Sequence, residues 1–377
     1  MIALRGRLAA ALIVLATAQP LSGQAAIGTG VDYFGYTFGD GLGADAAQLL
    51  FVPMAVRIPV ASTLSLDVFS AWAEGRVEQD NTVLKLSGPV DTSVKATWIA
   101  TPWAVIGVGA NLPTGNSGHT GEEAVVASIL STDLLGFREA TWGTGFAITS
   151  SLATAVQAGG FGLGVAGAYA VRSEFEPTAG DPLTYQPGNE SRVRVGIDRN
   201  FGTSTLTLGG TFIKYTEDKA DGDNLFQAGN RLRFDAAFAF RAGAGVWTFY
   251  GADLVRANGD LRVPVLDTNG AAIDETFVPT AEQNLIIGGV MGTIGLGSGY
   301  VFRPHIDYKM QTREESDGND AGSGWIVAAG GDIPMRIFGG TEFFPKARVY
   351  IGSLKDGMGG NVSLFGLEFK GTMRWSF

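Results

Sequence analysis

The sequence predicts an all-β fold, a transmembrane antiparallel β-barrel of the up-and-down type. Three observations predict it: an N-terminal export signal with no later apolar helix, alternation of polar and apolar residues with a period of two, and a regular exchange of short and long connectors. Counting strands from this pattern gives 16, and the alternative is 14 strands with an N-terminal plug.

Residues 1–18 predict a secretory signal peptide. Arg5 and Arg7 precede the apolar run Leu8–Thr17, and the small residues around Ala18 suit signal cleavage, expected between residues 18 and 26. The apolar run is too short to cross a bilayer as a helix. The expected mature protein is therefore a barrel over residues 27–377 in the outer membrane of a bacterial cell.

Composition narrows the class of protein. The chain carries 37 acidic against 27 basic side chains, a net charge of −10, which argues against nucleic acid as a partner. It contains no cysteine, so stability has to come from strand pairing and burial and not from disulfides. Its 55 glycines accompany 45% hydrophobic residues, a combination that argues against disorder and suits the turns and bends of a curved sheet.

Alternation with a period of two is clearest in three stretches, which begin near Arg231, Phe302 and Phe365. A strand that crosses a membrane needs about 9–11 residues, apolar towards lipid and polar towards the lumen. The polar parities of these stretches, with two arginines from an earlier strand, supply the residues expected to line the lumen. They are Arg192, Arg194, Arg231, Arg233, Asp235, Arg241, Arg303, His305, Asp307, Lys309, Arg313, Glu368, Lys370 and Arg374.

Cations outnumber acids in this set, whereas acids concentrate in the predicted loops, for example Glu217-Asp218 and Glu314-Glu315. We therefore expect a basic lumen wall beneath an acidic rim. A wall of fixed cations favours anionic solutes in a narrow aqueous path. The alternative is that the arginines neutralise acids on neighbouring strands and simply fill the lumen.

Short connectors alternate with long polar ones along the chain. Short ones include Val60–Ser62 and Ala242–Gly245, and long ones include Asp80–Gly88, Glu217–Gly229 and Asn258–Ala281. Short periplasmic turns and long external loops are typical of outer-membrane barrels.

The longest connector, residues 113–140, contains a predicted helix with apolar residues at helical spacing. Glu122 and Glu123 lie at its start, where negative charge is favourable, and Val125, Val126, Ile129 and Leu130 form its apolar face. An apolar helix on an external loop has to bury that face, so we expect this loop to fold towards the lumen and form a constriction.

Catalytic chemistry finds little support. A membrane-embedded acyl hydrolase needs a serine, a histidine and an orienting partner. The chain has two histidines: His119 lies in a glycine-rich loop segment, and His305 lies on a predicted lumen parity beside Asp307. The sequence therefore predicts no catalytic residues, no metal site, no cofactor and no enzyme, with a hydrolase as an alternative only.

Two segments resemble known families. Asn111-Leu112-Pro113-Thr114-Gly115 resembles the Leu-Pro-Thr-Gly segment frequent in FadL-like outer-membrane transporters of hydrophobic compounds, whose barrel has 14 strands. The apolar loop that follows resembles the loops that form their outer hydrophobic site. The Asn-Pro-Ala N-terminal motif of that family is absent. The C-terminal Trp375-Ser376-Phe377 resembles the assembly signal of outer-membrane barrels in general.

The function that these features predict is an outer-membrane channel for passive uptake of small molecules. The FadL-like resemblance implies hydrophobic or amphipathic solutes, and the alternatives are a general or anion-preferring diffusion porin and a structural or adhesive barrel. The 16 strands and long third loop favour the porin alternative. Expected partners are outer-membrane lipids and lipopolysaccharide, the barrel-assembly machinery and a small-molecule solute, while the oligomeric state is not predicted.

Overall fold

The first strand of the chain pairs with the last, which closes the sheet. In this computed structural model, residues 25–137, 142–266, 272–297, 300–314, 322–338, 340–356 and 359–377 are described. Ala26–Phe38 is paired with Leu364–Ser376 along its whole length, and the result is a closed antiparallel barrel of 16 strands. The predicted strand number is confirmed, and the alternative of an N-terminal plug is wrong because this segment lies in the wall.

The wall strands keep sequence order around the barrel, so each pairs with the strands before and after it. They are β1 (Ala26–Phe38), β2 (Ala46–Ala61), β3 (Leu64–Gln79), β4 (Thr82–Pro89), β5 (Thr92–Thr101), β6 (Ala104–Leu112), β7 (Ala147–Ala158), β8 (Phe161–Arg172), β10 (Glu190–Phe201), β11 (Ser204–Tyr215), β14 (Arg231–Ala242), β15 (Gly245–Arg256), β18 (Glu282–Gly297), β19 (Tyr300–Glu314), β20 (Gly324–Asp332), β21 (Met335–Phe338), β22 (Thr341–Lys355) and β23 (Asn361–Ser376).

Two wall strands are interrupted. β4 and β5 both pair with β3 and form one strand that breaks at Val90-Asp91. In the same way β20 and β21 both pair with β22. The long loop between β6 and β7 is attached at the break at Asp91.

Short connectors lie at one end of the barrel and long ones at the other, as the connector lengths predict. The turns include Gly159-Gly160, Gly202-Thr203 and Gly243-Ala244, in which the glycines at positions 159, 160, 202 and 243 adopt the left-handed φ that tight hairpin turns need. Both chain ends of the barrel lie at this turn side, where the Phe377 N–H donates to the Ala25 carbonyl at 3.0 Å.

Four connectors that the sequence predicts as loops contain strands. Asp80–Gly88 is mostly β4, which extends the wall as a hairpin with β3 around Asp80 and Asn81, both at positive φ. The other three connectors, residues 173–189, 216–230 and 257–281, contribute to a separate five-stranded sheet at the long-loop end. Its strands are β9 (Tyr185–Gln186), β12 (Glu217–Ala220), β13 (Asp223–Gln227), β16 (Asp260–Leu266) and β17 (Ala272–Pro279).

Acids in this outer sheet act as structural acceptors. Asp218 accepts from the Gly188 N–H at 2.6 Å and from the Tyr185 hydroxyl, and Asp221 accepts from the Thr184 N–H at 2.9 Å. Burial and the hydrogen bond to Asp218 raise the pKa of the Tyr185 phenol above its ordinary value. In the sequence these polar residues suggest an open loop, but in the structure they accept hydrogen bonds within turns. Composition alone therefore does not reveal these strands.

The outer face of the wall is apolar and exposed. On β14 the outward side chains include Phe234, 53% exposed, and Phe238, 39% exposed, while Asp235 and Ala237 lie on the opposite parity. Within the described residues no helix has both the length and the apolar character needed to cross a bilayer. A closed sheet with such an exterior satisfies its backbone internally and suits contact with lipid chains.

The buried hydrophobic cluster lies inside the barrel, at its long-loop end. It joins inward side chains of the wall, such as Leu49, Ala73, Ile287 and Tyr350, to residues of the connector between β6 and β7. The predicted signal peptide lies outside the described residues.

Candidate functional site

The connector between β6 and β7 carries one helix, α1 (Gly121–Leu130). Its first turn is closed by a capping box: the Glu123 N–H donates to the Thr120 hydroxyl at 3.3 Å, and the Thr120 N–H donates to the Glu123 carboxylate at 2.8 Å. Glu122 is exposed and Glu123 is half-buried. Glu123 therefore caps the N-terminus of its own helix and makes no ion pair with the described wall.

One face of α1 is fully buried against β2, β3 and β4. Val126 and Leu130 are 0% and 2% exposed, whereas Val125 is 40% exposed and Ile129 is half-buried. Gly75 on β3 makes the close approach possible, because a Cβ there would lie 2.5 Å from the Leu130 Cδ1 atom and 2.9 Å from the Val126 Cγ1 atom. The helix thus lies directly on the inner surface of the wall.

The residues after α1 reach the other side of the barrel. The Tyr36 hydroxyl donates to the Leu135 carbonyl at 2.9 Å, and the Lys309 ammonium lies 3.4 Å from the Leu134 carbonyl. The Gln283 amide donates to the Asp133 carboxylate at 3.1 Å. Since these contacts lie on β1, β18 and β19, the connector spans the mouth from β2–β4 to β18–β19 and covers that half of the lumen.

A single buried carboxylate joins the two ends of this connector. Asp91, 2% exposed, accepts from the Gly115 N–H at 3.0 Å and the Asn111 amide at 3.3 Å on one side. On the other side it accepts from the Thr144 N–H at 2.8 Å and its hydroxyl at 3.0 Å. The Asn-Leu-Pro-Thr-Gly segment therefore serves to anchor the connector at the break between β4 and β5.

Gly115 and Gly143 have to be glycine for this anchor to form. A Cβ on Gly115 would lie 2.5 Å from the Gly143 nitrogen, and Gly143 has φ +66° with the Ser117 nitrogen 2.3 Å from its would-be Cβ. The two ends of the connector are thus pressed backbone to backbone.

Beneath the connector lies a buried ionic cluster on β19, β22 and β23. Arg348 pairs with Asp307 at 2.8 Å, and Lys346 pairs with Glu368 at 2.7 Å. The Tyr350 hydroxyl donates to Glu368 at 2.5 Å, and Arg348 also shares a hydrogen bond with His305. These charges are paired and packed, so this side of the lumen is filled.

Sequence reasoning singled out His305, Asp307 and Glu368 but missed Lys346, Arg348 and Tyr350. The signal was available: these three residues alternate with Ala347 and Val349 on β22, the same period-two pattern as on β14.

The other predicted lumen cations divide by whether a carboxylate lies within ion-pair distance. Those with a partner are Arg192 with Glu190 (2.6 Å), Arg194 with Asp235 (2.7 Å), Arg233 with Asp235 (3.7 Å), Arg303 with Asp332 (3.1 Å) and Lys370 with Asp32 (2.7 Å). Those with no ion pair among the described residues are Arg231, Arg241, Arg313 and Arg374. Neutralisation across strands and an excess of cations therefore coexist.

A cavity of about 850 Å³ lies in the lumen towards the turn side. Much of its surface is apolar, from Phe69, Phe344 and small residues on β7 and β8. Among the described residues, its charged lining residues are Arg57, Lys95, Arg192, Arg194, Lys370 and Arg374, with Asp67 as the single acid. Lys95 and Arg374 have no ion pair within the described part of the chain, so the cavity has an excess of positive charge.

The two histidines serve in packing contacts. The His119 imidazole lies 3.1 Å from the Trp142 carbonyl, and His305 contacts Arg348 as described. In the described ranges no group of three or more potential metal ligands comes together.

A closed barrel of this size, apolar outside and charged inside, with turns at one end and long loops at the other, defines a protein of the bacterial outer membrane. No protein-family model matches the chain, and no curated protein matches it by sequence.

Solved structures that resemble it are outer-membrane barrels. OmpT, an outer membrane protein of Vibrio cholerae, is 10% identical, with 94% of this chain and 97% of that chain covered and a TM-score of 0.41. An anion-selective porin from Comamonas acidovorans is 10% identical, with 94% and 99% covered and a TM-score of 0.41. OccK7 (OpdD) of Pseudomonas aeruginosa is 9% identical, with 94% and 100% covered and a TM-score of 0.41. Identities this low say nothing about solute or selectivity.

Proposed function

We propose that this protein is a passive outer-membrane channel for small anionic solutes that carry an apolar body. The observation that supports it most is the cavity of about 850 Å³ with six cationic and one acidic side chain in its lining. Apolar walls with a few fixed charges suit a solute that has an apolar part and a charged group.

The charge of the path argues for anions over cations. Of the six cations at the cavity, four have a carboxylate partner, which leaves Lys95 and Arg374 uncompensated. In a narrow path with low-dielectric walls, a small excess of fixed charge is enough to bias ion entry. We therefore expect a moderate preference for anions.

The connector over the mouth limits the path. At the mouth, α1 and the residues after it cover the half of the lumen formed by β18–β23 and β1–β4, so solute enters along the remaining half, β6–β15, before it reaches the cavity towards the turn side. This arrangement supports a restricted channel over a wide general porin.

A FadL-like preference for purely hydrophobic solutes has less support. The fully buried residues of α1, Val126 and Leu130, pack on the wall, so that face does not form an open apolar site. The barrel also has 16 strands and places Ile27–Phe38 in its wall, unlike the 14-stranded barrel that the resemblance implies. We infer amphipathic solutes from the cavity lining instead.

We also infer that the protein acts by passage and not by catalysis; among the described residues, neither histidine lies in a hydrogen-bonded pair with a serine. Lipids and lipopolysaccharide are the partners that we infer for the apolar exterior. The barrel-assembly machinery is the partner that we infer for the C-terminal Trp375 and Phe377.

The direct test is the reversal potential of the protein in planar bilayers under a KCl gradient. We expect a potential of the sign that marks chloride preference, and a shift towards zero in the double variant Lys95→Gln/Arg374→Gln. Arg76→Gln, on the outer face of β3 beside Glu74, is the matched control and should leave the potential unchanged. Cation preference, or no conductance from a correctly folded barrel, would contradict the proposal.

A further inference from the structure

Three arginines lie in one row at the mouth, where the open half of the lumen (β14 and β15) meets the half that the connector covers (β18 and β19). Arg231 on β14 is directly opposite Arg256 on β15, and Arg256 is opposite Gln283 on β18. Gln283 is in turn opposite Arg313 on β19. Directly opposed residues point to the same face of a sheet, so all four side chains project inward along one row.

Like charges directly opposite each other destabilise a sheet. The barrel contains a second such pair, Lys346 opposite Lys370, and there each ammonium has its own carboxylate, Glu368 and Asp32, both at 2.7 Å. Arg231, Arg256 and Arg313 have no ion pair in the described part of the chain. The arginine row therefore keeps its positive charge, whereas the charge of the lysine pair is neutralised by carboxylates.

One buried hydrogen-bond donor of the same row also lacks a partner among the described residues. The Nε atom of Arg256 is buried and has no hydrogen-bond partner among the described residues. The charged groups that act on it most strongly are Arg231, Asp133 and Arg313. The Asp133 carboxylate is held by Gln283 at 3.1 Å and forms no ion pair with Arg256 in the described structure. A buried guanidinium donor without a partner is costly and calls for an external acceptor.

The surroundings favour an organic anion. The Arg231 guanidinium lies over the Tyr215 ring at 5.4 Å, so an aromatic face adjoins the cations. Asp133, at the end of the connector, adds one negative charge beside the row and disfavours highly charged anions.

We propose that Arg231, Arg256 and Arg313 form an oxyanion-binding site, which takes the carboxylate or phosphate group of a solute as it enters beside the connector. Guanidinium groups match both oxyanions in geometry and bind them through two hydrogen bonds each. This proposal rests on the proposed function, because the site would hold a solute by its carboxylate or phosphate group at the entrance of the channel.

The experiment measures binding apart from conduction. The refolded full-length barrel in detergent micelles is dialysed against labelled benzoate, inorganic phosphate or neutral benzamide, and the same preparations are studied in bilayers. Heat-dependent gel mobility verifies that each variant forms a folded barrel. We expect saturable binding of at least one of the two anions and none of benzamide.

Arg256→Gln should weaken anion binding about tenfold, the loss expected for a charge-assisted hydrogen bond. Arg256→Lys, which keeps the charge but loses the planar fork, should lie between Arg256→Gln and the unsubstituted protein. Arg76→Gln on the outer face should have no effect. If Arg256→Gln binds as tightly as Arg76→Gln, or if neither anion binds saturably, the site is wrong.

Failure of the site and failure of the channel are distinguishable. Anion-selective current without saturable binding would overturn the site and leave the channel. Saturable binding that depends on Arg256, without any current, would support the site and overturn the proposed passage. If phosphate binds and benzoate does not, the site takes a phosphate group and the proposed carboxylate is excluded.

Discussion

At the scale of single residues, the carboxylate of Asp91 holds both ends of the inward connector through Asn111, Gly115 and Thr144. Asp91→Asn replaces one acceptor oxygen by a donor, so buried N–H groups lose their partner at about 1–3 kcal/mol each. We expect the connector to loosen, with higher single-channel conductance and faster cleavage by added protease.

Asp181→Asn is the control for that substitution. Asp181 is an exposed acid that accepts only from the nearby Leu183 N–H, so its replacement should change neither measurement. Equal behaviour of the two variants would mean that Asp91 does not fix the connector.

The two faces of β14 give a second residue-scale prediction. Phe238 points outward and is 39% exposed, and Ala237 points inward opposite Tyr250. Arginine at position 238 should cost about 2–4 kcal/mol if the residue lies near the middle of the membrane, whereas arginine at 237 should be tolerated. Urea unfolding in lipid vesicles measures both, and equal losses would refute the assignment of faces.

At the scale of elements, helix α1 is held by its buried side chains. The double variant Val126→Ser/Leu130→Ser removes the apolar contacts with the wall beside Gly75, so the helix should detach and the conductance should rise. Val125→Ser, on the 40% exposed side, should leave the conductance as it is. A rise of the same size in both variants would show that packing of this face does not hold the helix.

The sequence predicts the barrel elements well because their signal is local. In β14 and β23 the parity of arginines and phenylalanines alone gives both the strand and its faces. The strands of the outer sheet are hidden because Asp218 and Asp221 satisfy backbone donors, a use of acids that composition does not reveal.

The candidate site was predictable only in part. The arginines of β14 and β19 stand out on their parities, but the register that brings Arg231 next to Arg256 depends on pairing between strands. The spacing of four apolar residues fixes the buried face of α1 only to within about one position. For this reason the predicted apolar face includes Val125, which is exposed in the structure. The approach of Asp133 to the wall depends on the path of the whole connector and has no local signal.

At the scale of the whole molecule, the barrel places its turns and long connectors at opposite ends. A tag inserted at Gly222, in the hairpin between β12 and β13, should be reached by antibody on intact cells, and one at Gly243 should be hidden. Labelling at Gly243 in intact cells would reverse the assignment of sides.

The pairing of β1 with β23, which closes the barrel, gives a further prediction for the whole molecule. Ala25 already accepts a hydrogen bond from Phe377, and β1 begins at Ala26. We expect export cleavage to leave Ala25 in the mature chain, within the predicted range of 18 to 26. Intact-mass spectrometry of the protein from outer membranes measures this end, and a mature chain that lacks Ala25 would contradict it.

We infer that the inward connector covers half of a wide lumen and restricts the path of a solute. Single-channel conductance of the protein and of a variant lacking residues 122–135 tests it most directly, since those residues supply α1 and the contacts of Asp133, Leu134 and Leu135 with the opposite wall. We predict that the deletion variant still assembles as a heat-modifiable barrel and conducts in larger steps than the intact protein. Unchanged conductance in a correctly folded deletion variant would contradict the claim.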